Sequence, residues 1–148
     1  MVRRLTFLSH FMMCVGVGVA AFLLTVLGVP QRVWLEDQSM CTSLIALLLL
    51  FAMVRLGAVA WHADTPDLHS LCRADASVGH LLERLCVMAG FIGTAVGLSM
   101  QAKALAAGST SFVALSTSLF TTATGGVAAA LIAVMTYNAE AGMRRPSR

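Results

Sequence analysis

Hydroxyl side chains recur through the last third of this chain, in sequence that is otherwise apolar and small. Ser118, Thr121 and Thr122 stand close together, and Thr94 lies in the apolar segment before them. A hydroxyl both donates and accepts hydrogen bonds, but Ser and Thr do not titrate near neutral pH. These residues can therefore pass hydrogen bonds along a polar path, and they cannot by themselves take up and release a proton.

Small residues accompany the hydroxyls in both segments. They fall at helical spacing beside Thr94 in the first segment and beside Thr122 in the second. Glycine and alanine are concentrated where membrane helices pack closely or where a polar pathway runs between them. Both roles, helix packing and the lining of a pore, are open for these residues. They are Gly90, Gly93, Gly97, Gly125 and Ala129.

The elements that must position these residues are membrane-spanning helices. Of the 148 residues, 58% are apolar and 11% are charged, whereas about a quarter of a soluble domain is charged. Long continuous apolar runs favour helices over the alternating strands of a β-barrel. At roughly 20 apolar residues per crossing, the sequence predicts an all-α protein with four transmembrane helices, at about 7–29, 40–61, 83–105 and 111–138.

The chain divides into a scaffold and a hairpin. Residues 1–80 are interpreted as two scaffold helices and a short cytoplasmic loop, His62 to His80. Residues 81–148 are interpreted as a pore-type hairpin with a basic C-terminal tail. Gly16 and Gly18 of the first helix are expected to be packing contacts. His10 is expected to be neutral and hydrogen-bonded to a neighbouring helix, with a proton relay as the alternative.

Basic residues predict the orientation. With both termini in the cytoplasm, Arg32 and Lys103 are the only basic residues on the outer side. An excess of Lys and Arg in cytoplasmic loops is the usual rule, so both termini are predicted to be cytoplasmic. The basic residues on the inner side are Arg3, Arg4, Arg55, Arg73, Arg84, Arg144, Arg145 and Arg148.

The sequence predicts no enzyme, no metal site and no cofactor. No nucleophile–base pair or phosphate loop is present. The His and Cys residues are irregularly spaced and include no Cys-x-x-Cys pair, so zinc is not expected. The basic residues suit membrane topology and anionic lipid, and no nucleic-acid partner is predicted.

Two motifs of the hairpin can be compared with a known family. Gly90-Phe-Ile-Gly-Thr-Ala-Val-Gly97 is followed by Thr122-Ala-Thr-Gly125, by Ala128-Ala-Ala130 and by Tyr137-Asn138. In this order they resemble the signature and the last helix of the proton-channel family that includes the flagellar stator subunit MotA and the envelope energisers TolQ and ExbB. The resemblance covers residues 90–138.

The resemblance implies a mechanism. Thr94 and Thr122 correspond to hydroxyls that line the family's ion path, with Thr121 and Ser118 as their neighbours. The family forms a ring, typically a homo-pentamer, in the bacterial inner membrane. The ring surrounds a single-span partner whose intramembrane aspartate carries the proton. Proton flow then drives an envelope, secretion or conjugation machine.

The residues give a reason of their own for such a partner. Glu83, Lys103 and Glu140 all lie at the ends of the last two spans, so no carboxylate, imidazole or amine stands in the middle of either. Since threonine does not titrate near neutral pH, proton-coupled work would need a titratable group from another chain.

The chain also departs from the family's pattern. A proline of the last helix is replaced near Leu131, Tyr137 comes one residue late, and a frequent glutamate is Thr117. The family's large cytoplasmic domain is reduced to the inner loop. Two alternatives are open: a structural membrane subunit without ion conduction, and a holin-like pore former that permeabilises the membrane when expressed alone.

Overall fold

The computed structural model describes residues 5–28, 40–62, 69–108 and 112–143, and these residues form four helices. The helices are α1 (Leu5–Val26), α2 (Cys41–His62), α3 (His69–Ala106) and α4 (Phe112–Met143). Each contains a segment long and apolar enough to cross a membrane, so the all-α fold with four candidate spans is confirmed. The orientation of the termini stays a prediction.

The hairpin of α3 and α4 is the most extensive helix contact of the described chain. α2 packs against both of its helices, and α1 packs against α2 and α4. One apolar core cluster joins α2, α3 and α4. Its fully buried members include Ile45 and Leu56 of α2, Cys86 of α3, and Ile132 and Met135 of α4.

The start of α3 differs from the sequence prediction. The segment before residue 83 was expected to be a loop, but α3 already begins at His69. The hydropathy of this segment is low, but a fall in hydropathy does not end a helix, and the candidate span itself already begins at Ala76. Helical spacing continues through it, because Ala76 and Gly79 are buried on the face that carries Leu82. α4 likewise continues past residue 138 to Met143.

Glycine ends two of the helices. Gly28 follows α1 with φ of 71°, and Gly108 follows α3 with φ of 75°. At both positions the glycine N–H donates to a carbonyl of the last helical turn, Thr25 at 3.0 Å and Leu105 at 2.9 Å. A left-handed residue just past a helix is most often glycine, which has no Cβ to clash.

α1 is attached to the bundle by its first half. Thr6 and His10 are its buried residues among the described side chains, and every residue from 18 to 27 is exposed. A Cβ placed on Gly16 or Gly18 would meet nothing within 4 Å. The expectation that these glycines are packing contacts is therefore wrong for the described part of one chain.

Candidate functional site

Thr94 and Thr122 meet across the interface of α3 and α4, and their hydroxyl groups are hydrogen-bonded to each other. The Thr94 hydroxyl is also within 2.9 Å of the Gly90 carbonyl oxygen in its own helix. Both threonines are half-buried. Thr94 lies near the middle of the candidate span Ala76–Ala106, and Thr122 lies one turn into the candidate span Ser118–Met143.

Ser118 and Thr121 lie behind this pair, between the helices. The Ser118 hydroxyl donates across the interface to the Thr94 carbonyl oxygen at 3.2 Å. The Thr121 hydroxyl donates to the Ser118 carbonyl oxygen at 3.0 Å. Their exposed fractions are 1% and 0%, so neither side chain faces an opening within one chain. Ser118 ties α4 to α3, whereas the Thr121 hydroxyl bonds its own helix.

The Ser118 carbonyl oxygen is the centre of the hydroxyl cluster. Hydroxyls approach it from Thr121 at 3.0 Å, from Thr122 at 3.0 Å and from Thr94 at 3.4 Å. A carbonyl oxygen has two lone pairs, and the helix backbone already uses one through the N–H of residue 122. Three hydroxyl protons therefore compete for one remaining position. Thr94 and Thr122 have alternative acceptors, and the network accommodates more than one arrangement of its protons.

Glycine allows the two helices to approach this closely. A Cβ placed on Gly125 would lie 2.8 Å from the Cys86 carbonyl oxygen and 3.0 Å from the Gly90 Cα. A Cβ on Gly93 would lie 2.7 Å from the Thr121 hydroxyl oxygen. These glycines are therefore used for packing within the chain.

The remaining small residues of the predicted face are also buried. Gly97 on α3 and Ala129 on α4 lie inside the bundle, whereas a Cβ added to Gly126 would meet nothing within 4 Å. Thr124 bonds the Phe120 carbonyl of its own helix at 2.8 Å and takes no part in the cluster. The side chain of Thr117 lies outside the described residues.

His10 connects α1 to α2. Its Nε2 lies 3.0 Å from the Met53 carbonyl oxygen and must donate, since a carbonyl only accepts. This confirms the expected bond to a neighbouring helix. The ring is 3% exposed, and its Nδ1 has no hydrogen-bond partner among the described residues. Asn138 of the terminal Tyr-Asn motif adds a second tie, by donating to the Thr6 carbonyl oxygen at 3.2 Å.

One polar contact, at the other end of the hairpin, was missed from the sequence. His80 Nε2 of α3 lies 3.1 Å from Glu140 Oε1 of α4. The sequence did hold a signal for this contact. In an antiparallel hairpin that pairs Thr94 with Thr122, residue 80, fourteen before Thr94, must lie near residue 136, fourteen after Thr122. That register places His80 within about one helical turn of Glu140.

No protein-family model, curated protein or solved structure matches this chain. The resemblance to the MotA, TolQ and ExbB family accordingly stays a prediction from the motifs.

Proposed function

We propose that this protein is a ring-forming subunit of a proton-driven channel or motor complex in the bacterial inner membrane, with both termini in the cytoplasm. Copies of the α3–α4 hairpin surround a single-span partner, as in the pentamers of the family that its motifs resemble. The partner's intramembrane aspartate carries the proton, and its neutralisation changes how the partner helix sits in the ring. The movement of the partner helix, driven by the proton flow, powers an envelope, secretion or conjugation machine.

The observation that carries the proposal is the contact of Thr94 with Thr122. Two residues that are 28 positions apart were singled out by separate motifs, and they are hydrogen-bonded at one depth of the hairpin. Both are half-buried, so part of each side chain lies at the edge of the interface between α3 and α4. The Ser118 and Thr121 hydroxyls extend the polar region inward.

The competition for the Ser118 carbonyl oxygen supports a role in proton movement. A hydroxyl that can turn from one acceptor to another can release a hydrogen bond to a passing water or carboxyl group without losing all its partners. A hydroxyl with a single fixed acceptor has no such freedom. Thr94 has the Gly90 carbonyl and the Thr122 oxygen as alternatives, which makes it the residue best suited to exchange.

The test replaces Thr94 and Thr122 together by valine. Removing both partners of a hydrogen bond in favour of apolar groups of the same shape changes stability little, so the ring should still assemble. Proton flux should fall about tenfold or more, which corresponds to about 1.4 kcal/mol on the barrier. Thr124→Val is the matched control, because this hydroxyl bonds only its own helix among the described contacts.

The measurement uses vesicles that contain the purified protein and a pH-sensitive dye. The protein is assayed alone and together with a single-span membrane protein, encoded by a neighbouring gene, whose span carries an aspartate. Flux should require the partner and should vanish when the partner's aspartate is changed to asparagine. Flux that persists unchanged without both hydroxyls refutes the proposal, and flux from the protein alone indicates the holin-like pore former.

A structural subunit without ion conduction is the second candidate. The close approach of Gly90 and Gly125 favours it, because these glycines pack α3 against α4 within one chain and are not left free to line a pore. The four cluster hydroxyls also have acceptors within the chain. Assembly without partner-dependent flux in the same vesicles would select this candidate.

A further inference from the structure

The cytoplasmic end of the hairpin, in the predicted orientation, holds an imidazole between two carboxylates. His80 Nε2 lies 3.1 Å from Glu140 Oε1 on α4, and His80 Nδ1 lies 3.6 Å from Glu83 Oε2 one turn along α3. The His80 side chain is 54% exposed and that of Glu140 is 29% exposed. Water can therefore reach the ring while both carboxylates stay beside it.

The arrangement suits a group that gains and loses a proton. Carboxylates only accept hydrogen bonds, and a neutral imidazole has one N–H, so it can satisfy one of the two. The imidazolium form donates from both nitrogens and meets both carboxylates at ion-pair distance.

Other charged groups around the ring are few among the described residues. Arg84 follows His80 by one helical turn on α3 and is exposed. α2 approaches this level from the opposite side, where Leu56 lies against Gly79. The titratable or basic side chains in the last turns of α2 are Arg55 and His62, both exposed. The carboxylates of Glu83 and Glu140 are thus the charges in direct contact with His80.

His80 and Glu140 share a face of the hairpin with the threonine pair. His80 precedes Thr94 by fourteen residues, which is about four turns and about 21 Å along the axis. Glu140 follows Thr122 by eighteen residues, which is about five turns. Small residues lie between them on this face of α4, since Gly126 is exposed with open space around it and Ala133 is half-buried.

We propose that His80, held between Glu83 and Glu140, is the proton-exchange site through which the threonine-lined path communicates with the cytoplasm. The ligand is a proton. The imidazole lone pair accepts it from water at this exposed end of the hairpin, and the imidazolium then releases it to bulk water or to a soluble buffer. No other bond changes. This inference rests on the proposed function, because it needs a proton path to serve.

His80→Gln tests the exchange site. The glutamine amide can still donate to Glu140, but it does not titrate. At low concentrations of cytoplasmic-side buffer, the flux of the variant with its partner should fall about tenfold. Permeant imidazole, added to the same vesicles, should restore it, because a soluble base replaces the missing shuttle. His62→Gln is the matched control, an exposed histidine at the end of α2, and its flux should equal that of the unchanged protein.

The outcomes separate this inference from the proposed function. If His80→Gln conducts normally at low buffer, or if imidazole does not restore its flux, the exchange site is refuted while the dependence on Thr94 and Thr122 can still hold. If the unchanged protein shows no partner-dependent flux, or if the threonine variants conduct normally, the proposed function fails and this inference fails with it.

Discussion

α1 and the α3–α4 hairpin are both apolar, yet they contact the rest of the bundle in opposite ways. The fully buried residues of α1 are polar, Thr6 and His10, while most of its apolar residues face outward and only a few, such as Met13 and Cys14, pack against the core. The hairpin buries glycine, alanine and hydroxyl residues along its length. Lipid tails are as apolar as leucine, so apolar character brings a helix into the membrane without choosing its neighbours. Close contact is chosen by small residues and by hydrogen bonds.

The largest expected effect comes from adding one methyl group to the closest contact of the hairpin. Gly125→Ala would place its Cβ 2.8 Å from the Cys86 carbonyl oxygen, and backbone cannot yield as a flexible side chain can. Overpacking of this kind typically costs about 1–3 kcal/mol. The free energy of unfolding, measured by titration with a denaturing detergent in mixed micelles, should be lower by this amount than that of Gly126→Ala, which has the same helix propensity without the close contact.

Gly126→Ala is the control for that variant. The neighbouring glycine has nothing within 4 Å of its added Cβ, and alanine is favoured over glycine in a helix by about 1 kcal/mol at both positions. The difference between the two variants therefore isolates the helix contact. Equal stabilities would show that the hairpin does not depend on the approach of Gly90 and Gly125.

A smaller effect is expected where α1 meets α2. His10→Leu removes the hydrogen bond to the Met53 carbonyl oxygen, which between membrane helices is worth about 0.6 kcal/mol on average and up to about 2. It also removes the buried Nδ1 that has no partner among the described residues, so the net loss should be about 1 kcal/mol or less. The free energy of unfolding and the disulfide cross-linking of cysteines placed on α1 and α2 would measure it.

His10→Gln gives the matched comparison, because its amide can still donate to Met53. The glutamine variant should keep the cross-link more fully than the leucine variant. Identical cross-linking in all three proteins would mean that the histidine does not hold α1 in place.

The smallest effect is expected in the outer part of α1. Gly16→Ala and Gly18→Ala add a methyl group where nothing lies within 4 Å. Alanine is favoured over glycine in a helix by about 1 kcal/mol, and relative to that gain the free energy of unfolding should change by no more than about 0.5 kcal/mol, as at other sites without close contacts. A loss above about 1 kcal/mol, or a change in the native mass of the assembly, would show that this half of α1 packs against another copy of the chain.

Much of the fold was predictable from the sequence, since each span must satisfy its backbone within itself and must be long and apolar. The start of α3 was not, because hydropathy falls before helical spacing ends, as Ala76 and Gly79 show. The glycine pair 125–126 illustrates the same limit at the site. Because both residues are glycines, the sequence alone allows close packing at either one. The side of α4 on which α3 packs determines that Gly125 makes the contact.

The cluster of hydroxyls was predictable as a set of residues, but its geometry was not. The motifs singled out Thr94 and Thr122, whereas nothing in them distinguishes Thr121, which is buried, from Thr124, which bonds its own helix away from the cluster. The contact of His80 with Glu140 depends on the register of the hairpin. One known residue pair, such as Thr94 with Thr122, is enough to determine that register.

The lengths of the last two helices have a mechanical consequence. α3 has 38 residues and α4 has 32, which at about 1.5 Å per residue gives about 57 and 48 Å. The hydrocarbon layer is about 30 Å thick. Helices with this surplus tilt in the bilayer or extend beyond it, and at one end the two are held together where Gly79 abuts Thr136. A tilt of the hairpin inside the bilayer would therefore also displace the ends of α3 and α4 that lie beyond Gly79 and Thr136.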